Sequence, residues 1–294
     1  MEQKTPLKAW LLLFVLSLIW GSSFILIKRG LVALDYQEVG ALRIFSASLV
    51  MLPIALSKLA RVKRKQVKYL LSIGFLGSLI PAFLFAIAQT QLKSSITGVL
   101  NALTPISTML VGYLIYKQKQ TSSVFVGVAI GFVGTAVLIL TNADGGFGTL
   151  NFYALFVILA TVMYAFNLNI IKYHLSELDS LTITSISLLV VGPIAGIHLF
   201  FFTEFPNHFA QEAVLISAGY IVILGVIGTA VALIIFNNLV RITDPVFTSS
   251  VTYIIPIVAV LWGFSDGESL SWLHFAGICG ILLGVYITNS AKRK

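Results

Sequence analysis

The sequence carries very little charge for its length, since only 10% of its 294 residues are Asp, Glu, Lys or Arg. A typical soluble domain carries about 25%, whereas here hydrophobic residues reach 58% and the mean hydropathy is +0.98. This composition excludes a soluble enzyme, a nucleic-acid-binding domain and a disordered chain. The single cysteine, Cys279, excludes a disulfide framework and a cysteine-rich metal site. We expect no metal and no cofactor.

Long apolar runs dominate the chain. A helix needs about 20 apolar residues to cross the hydrocarbon core of a bilayer, and ten runs meet this need. The runs include 202 of the 294 residues, and Arg43 is the only Asp, Glu, Lys or Arg within them. The pattern predicts an all-α integral membrane protein with ten transmembrane helices: Ala9–Ile27, Val39–Ser57, Tyr69–Gln89, Ile96–Tyr116, Val124–Leu140, Phe152–Ile171, Leu181–Phe202, Val214–Leu239, Val246–Phe264 and Trp272–Asn289.

The connections between these runs are short, and the longest is the basic segment Lys58–Lys68. With the N-terminus in the cytoplasm, fifteen Lys and Arg residues fall on the inner side and three on the outer side. This bias predicts cytoplasmic N- and C-termini. Because no loop can form a separate domain, the function is expected inside the helix bundle.

The two halves of the sequence resemble each other. The segment from Trp20 to Lys28 aligns with that from Tyr164 to Lys172, and Pro105 aligns with Pro256. We therefore expect two five-helix repeats, 1–144 and 145–294. Five is an odd number, so the second repeat would enter the membrane upside down. Inverted repeats of this kind are common in secondary transporters and enclose a central substrate cavity near the midplane.

The run Trp20-Gly-Ser-Ser-Phe24, the pair Leu42-Arg43, and the later pattern of Pro256, Glu268, His274, Gly277 and Gly284 resemble the EamA-type branch of the drug/metabolite transporter superfamily. The resemblance covers nearly the whole chain. It implies a bacterial inner-membrane exporter or permease of amino acids or other small metabolites. One position departs from the family: Lys117 stands where a glutamate often follows span four.

Polar residues within the spans are the candidate substrate ligands. A buried amide without a partner is costly at membrane depth, which favours a cavity-lining role for Asn167 and Asn169, whereas helix packing explains Ser22 and Ser23 at least as well. The candidate substrate-binding residues are Trp20, Ser23, Asn101, Tyr164, Asn167, Asn169, Thr252 and Tyr253.

Three further residues are candidates for gating. A proline frees the carbonyl four residues earlier, so Pro105 and Pro256 predict either a hinge or a simple kink. Arg43 is expected either to contact a substrate carboxylate or an outer gate, or to extend to the headgroups and pair with Glu38 or Asp35.

No Asp or Glu lies in any predicted span. Because intramembrane carboxylates are the usual proton relays and cation partners, a proton antiporter of cationic drugs is disfavoured. The sequence predicts a secondary transporter, not an enzyme, that moves zwitterionic or neutral metabolites, with export as the expected direction. A proton-coupled antiporter is the alternative, followed by a channel or an integral-membrane enzyme. The partners expected are a small metabolite and the lipid bilayer, without nucleic acid, in a monomer or a dimer.

Overall fold

A computed structural model describes residues 7–118, 121–141, 151–242 and 251–290. In these ranges eight helical segments are long and apolar enough to cross a membrane, and two shorter apolar helices follow them. The eight are α1 (Leu7–Gly30), α2 (Tyr36–Arg61), α3 (Arg64–Gln89), α4 (Ser94–Leu114), α5 (Ser122–Leu140), α6 (Tyr153–His174), α7 (Ser180–Phe201) and α8 (Glu212–Phe236). The two shorter helices are α9 (Val251–Ser265) and α10 (Trp272–Ser290).

These helices agree with the predicted spans as far as the described residues reach, which confirms an all-α membrane fold. The predicted boundary between the halves, at residue 144, and the start of the ninth predicted span, at Val246, lie outside the described residues. Asp35 shows how one boundary is set: its Oδ1 accepts from the backbone N–H groups of Gln37 and Glu38, at 2.6 and 2.9 Å. The carboxylate of Glu38 accepts in return from Asp35 N at 3.1 Å. This reciprocal cap ends the α1–α2 loop and starts α2.

Glycines allow α5 and α10 to pack very closely. A Cβ added at Gly284 would lie 2.5 Å from the backbone nitrogen of Gly131, and one at Gly134 would lie 2.6 Å from that of Ile281. Real Cβ atoms do not approach a backbone this closely. These glycines therefore serve a contact between two helices of the same chain, because only small residues permit helices to approach so closely.

Helices α1 and α6 each pack against two other helices of the bundle. Helix α1 packs against α8 and α9, and α6 packs against α3 and α4. Helix α2 packs against α7, where a Cβ at Gly192 would collide with Ser48. Helices α1, α2, α3, α4 and α6 to α9 thus surround the middle of the bundle, while α5 and α10 form a pair of their own.

Two helices contain a π-helical segment, and the two segments occupy corresponding places. One is Phe75–Leu79 within α3, and the other is Val226–Val231 within α8. Each contains a glycine followed by a hydroxyl residue, Gly77-Ser78 and Gly228-Thr229, and the glycines are 151 residues apart, as are Pro105 and Pro256. Such π-helical turns inside α-helices occur frequently at functional sites, so these segments direct attention to the residues that face them.

Candidate functional site

The polar part of α1 lies against the π-helical segment of α8. Trp20 Nε1 donates a hydrogen bond to the carbonyl oxygen of Gly228 at 3.1 Å, and its ring centroid is 5.5 Å from that of Phe236. Ser23 is buried, and its Oγ donates to the carbonyl oxygen of Ile19. A Cβ added at Gly228 would lie 3.5 Å from Ser23 Oγ. Trp20 and Ser23 therefore both adjoin the irregular turn of α8.

The corresponding contact occurs between α6 and α3. Asn167, which aligns with Ser23 in the sequence, lies against Gly77 in the π-helical segment of α3. A Cβ added at Gly77 would lie 2.6 Å from Asn167 Oδ1 and 2.9 Å from Nδ2. Gly77 is thus the residue that leaves space for the amide. The structure places Asn167 against the π-helical segment of α3 and Ser23 near that of α8.

Arg43 lies well inside the bundle. It is seven residues after Tyr36, the first residue of α2, so it is about 10 Å along the helix. Its Nε donates to Thr229 Oγ1 at 3.5 Å, and Tyr164 lies within electrostatic range. The guanidinium makes no ion pair with any residue in the described part of the chain. The only full charge in the predicted spans therefore contacts α8, and no carboxylate among the described residues neutralises it.

The two carboxylates considered as partners of Arg43 are engaged elsewhere. Asp35 caps α2, and the Oε1 atom of Glu38 is 2.8 Å from His208 Nε2. Glu38 is only 2% exposed, so this contact is made away from solvent. The structure therefore does not support the interpretation that Arg43 pairs with Glu38 or Asp35.

An aromatic group lies between α1, α3 and α6. The ring of Phe85 is 5.9 Å from that of Phe24 and 6.0 Å from that of Tyr164, centroid to centroid. Tyr164 is partly buried; its ring lies near that of Phe85, and the residue is within electrostatic range of Arg43. Arg43 thus lies near an aromatic surface that includes Phe85 and Tyr164.

Asn169 has a different environment from Asn167. It is 2% exposed, and its Nδ2 donates to the carbonyl oxygens of Thr108 and Ala165, at 3.1 and 2.9 Å. Its Oδ1 accepts from Gln118 Nε2 at 3.2 Å. Its side chain thus links α6 to the end of α4, and it adjoins neither Arg43 nor the π-helical segments.

The two prolines differ in their effect on the backbone. Before Pro105 the helix α4 is broken between Asn101 and Thr104, and Thr104 Oγ1 donates to the carbonyl oxygen of Asn101 at 2.8 Å. That hydroxyl satisfies the carbonyl which the proline frees. Pro256 instead lies within the continuous helix α9. The side chains of Thr252 and Tyr253 lie outside the described residues.

Sequence reasoning did not single out Gly77, Gly228 and Thr229. All three lie in the π-helical segments and contact Asn167, Trp20 and Arg43 respectively. The signal was available as the repeated pattern of a glycine and a hydroxyl residue, 151 residues apart, inside two apolar runs. No pattern in one run alone distinguishes such a pair from ordinary helix packing.

A charge cluster lies at the end of the bundle that holds Lys28, which we call the Lys28 end. Lys28 Nζ is 2.8 Å from Glu268 Oε1 and 2.6 Å from Asp266 Oδ2, and Arg29 also pairs with Asp266. The Glu268 carboxylate accepts from the backbone N–H and the hydroxyl of both Ser94 and Ser95, at 2.6–3.1 Å. It thus caps the first turn of α4 from another part of the chain.

Glu268 remains ionised in this setting. Burial raises its pKa, but the hydrogen bonds from Lys28, Ser95 and Ser94 outweigh burial and lower the pKa of Glu268 to about 2. A carboxyl group with this pKa does not exchange protons near neutral pH. The described residues also contain no group of three or more His, Cys, Asp or Glu side chains that could hold a metal ion.

Comparison with known proteins gives the family. The model of the EamA-like transporter family matches the chain twice, over residues 7–140 and 151–290. The "Uncharacterized inner membrane transporter YedA" of Escherichia coli is 25% identical over 285 residues, covering 95% of this chain and 90% of the relative. An "Uncharacterized transporter" of Archaeoglobus fulgidus is 26% identical over 283 residues, covering 96% and 98%.

A third relative has a name that states what it moves. The "S-adenosylmethionine/S-adenosylhomocysteine transporter" of Chlamydia muridarum is 23% identical over 261 residues, covering 86% of this chain and 82% of the relative. A solved crystal structure aligns with 97% of this chain and 98% of its own, with a TM-score of 0.63 and 17% identity, which shows a shared fold. The chain belongs to the EamA-like transporter family, within the drug/metabolite transporter superfamily.

Proposed function

We propose that this protein is a secondary transporter that moves a small metabolite with a carboxylate group across the bacterial inner membrane by alternating access. The observation that carries the proposal is the position of Arg43, at membrane depth beside Tyr164 and Thr229 and without a carboxylate partner among the described residues. A charged arginine at the centre of a membrane helix costs about 2.5–3.5 kcal/mol on insertion scales. A substrate anion would offset that cost each time it binds.

The proposed site lies between the two π-helical segments. Arg43 binds the carboxylate, Tyr164 and Trp20 contact the body of the substrate, and Asn167 and Ser23 adjoin the two π-helical segments. Amino acids and related zwitterions fit this set. The chlamydial relative supports the choice, because both compounds in its name are α-amino acid derivatives. Asn101, Thr252 and Tyr253 stay candidate ligands near the two prolines.

The inverted repeat is part of the proposal. Residues 1–144 and 145–294 would be two halves related by a two-fold axis in the membrane plane. Three observations support it: the family model matches twice, the π-helical segments correspond, and α1 pairs with α8 and α9 as α6 pairs with α3 and α4. In this arrangement Pro105 and Pro256 are the hinges of the two gates. The distribution of Lys and Arg supports cytoplasmic termini, and the family resemblance favours export.

Proton coupling is the alternative. It needs a group that exchanges protons during the cycle, and the predicted spans contain no Asp or Glu. Glu268, the acidic residue of the family pattern, has a pKa of about 2. These observations favour facilitated exchange without a proton.

Counterflow in proteoliposomes tests the proposal. Vesicles would be preloaded with one amino acid, without a pH gradient, and uptake of the same labelled amino acid would be measured for a panel. We expect accumulation for at least one amino acid and none for its α-carboxamide, which lacks the carboxylate. Arg43→Met should reduce the rate about 10- to 100-fold, because a hydrogen bond to a charged group contributes about 1.5–3 kcal/mol.

Arg64→Met is the matched control, since Arg64 is exposed and lies outside the proposed site. It should transport as the unmodified protein does. Equal transport of the amino acid and its carboxamide, or normal transport by Arg43→Met, would refute the role of Arg43. Accumulation only under an imposed pH gradient would favour the proton-coupled alternative.

A further inference from the structure

Gln89, the last residue of α3, is a buried amide without a partner. Its side chain is 7% exposed, and neither Nε2 nor Oε1 has a hydrogen-bond partner. Within the described ranges it is the only residue whose buried side-chain nitrogen or oxygen atoms lack one. Buried polar groups are otherwise nearly always hydrogen-bonded, and an exception calls for an explanation.

The position of Gln89 places it beside the proposed site. Phe85 is one helical turn earlier, on the same face of α3. That face meets α1 through Phe24 and α6 through Tyr164. Gln89 therefore extends the aromatic group towards the Lys28 end of the bundle, which is the direction in which a substrate would leave or arrive.

The distance between Gln89 and Arg43 follows from the packing of α2 on α3. A Cβ added at Gly40 would lie 2.9 Å from the ring of Phe83, which fixes the register of the two helices. Helices α2 and α3 run in opposite directions. Arg43 is three residues past Gly40 on α2, and Gln89 is six residues past Phe83 on α3, so their displacements add up to about 13 Å along the helix axes. They would contact opposite ends of an extended ligand.

We propose that Gln89 is a second polar subsite, which takes a planar ligand group that presents a hydrogen-bond donor beside an acceptor. The inference rests on the proposed function. A glutamine amide has both a donor and an acceptor, and it pairs through two hydrogen bonds with a group of complementary pattern. A carboxamide and the N6/N7 edge of adenine both have this pattern. The favoured substrate then carries a carboxylate at one end and such a group at the other.

The test compares Gln89→Met with the control Gln91→Met, because Gln91 is exposed and only two residues away. Three probes would be used in counterflow and in ligand-induced thermal shift. Glutaminyl-leucine carries a carboxamide on the residue remote from its carboxylate, S-adenosylhomocysteine carries an adenine edge, and alanyl-leucine carries neither. Comparison of the first two probes shows whether the subsite takes a carboxamide or an adenine edge.

We expect the unmodified protein to prefer one of the first two probes to alanyl-leucine. Gln89→Met should raise the KM and the Kd for that probe about tenfold or more, leave alanyl-leucine unchanged, and keep or raise the melting temperature. Removing an unpartnered buried amide does not by itself destabilise a protein. Gln91→Met should behave as the unmodified protein does.

Unchanged constants in Gln89→Met, or no preference for either donor–acceptor probe in the unmodified protein, would overturn the subsite. If those results accompany amino acid counterflow that depends on Arg43, only the subsite fails. If no amino acid is transported at all, the proposed function fails, and the thermal shift of Gln89→Met still decides whether the subsite binds.

Discussion

Glu268→Gln tests how far the charge cluster at the Lys28 end holds the fold together. The carboxylate accepts four hydrogen bonds from Ser94 and Ser95 and pairs with Lys28. Its pKa falls from an ordinary 4.5 to about 2, which corresponds to about 3 kcal/mol of preference for the ionised form in the folded protein. Glutamine keeps the shape but loses the charge, and it places an NH₂ group against N–H donors.

We expect Glu268→Gln to lower the free energy of unfolding by about 2–4 kcal/mol, since it leaves the α4 N-terminus without an anion and Lys28 with Asp266 alone. At about 2–4 °C per kcal/mol, the melting temperature would fall by roughly 4–16 °C. The assay is thermal unfolding of the purified protein in detergent. Glu212→Gln is the control, because Glu212 is an exposed residue in the first turn of α8.

The pH dependence gives a second readout with a defined sign. The pKa of Glu268 is lower in the folded state than in the unfolded state, so its stabilisation is fully present above pH 4.5 and is lost as the pH falls from 4.5 towards 2. The difference in melting temperature between the unmodified protein and Glu268→Gln should be constant from pH 6 to 8 and shrink below 4.5. Equal melting temperatures at pH 7 would refute the reasoning.

Two other changes test helix packing and the different roles of the two asparagines. Gly284→Ala should lower the melting temperature, because its Cβ would collide with the backbone of Gly131, whereas Gly219→Ala has no atom within 4 Å and should be neutral or slightly stabilising. Asn169→Ala should destabilise by about 1–3 kcal/mol, because its hydrogen bonds link α6 to α4. Asn167→Ala should keep the melting temperature and reduce counterflow. A stable Asn169→Ala variant with reduced counterflow, together with a destabilised Asn167→Ala variant that transports normally, would contradict these two roles.

The sequence alone predicted the membrane class and the helical character of the chain. Apolar runs of about 20 residues can satisfy their backbone only as helices in lipid, so this inference needed no tertiary information. The family resemblance rested on the order and spacing of motifs from Trp20 to Gly284, and the family match confirms it. Arg43 was identified because a full charge within a span is conspicuous.

What the sequence left open was the partner of each polar group. Arg43 could have paired with Glu38 or Asp35, and Asn167 and Asn169 were assigned the same role. Only the packing of the helices showed that Glu38 contacts His208, and that Asn169 is bound within the bundle while Asn167 faces a π-helical segment.

Membrane helices are similar in composition on every side, so hydropathy fixes where a helix lies along the chain but hardly limits which face meets which neighbour. The neighbours of the π-helical segments and the partners of Glu268 come from other helices, far away in the sequence. Their contacts follow from close packing around glycines such as Gly77 and Gly228. The sequence by itself therefore determined the class, the family and the charged residue of interest, whereas the tertiary structure decided which polar groups are satisfied and which have no partner among the described residues.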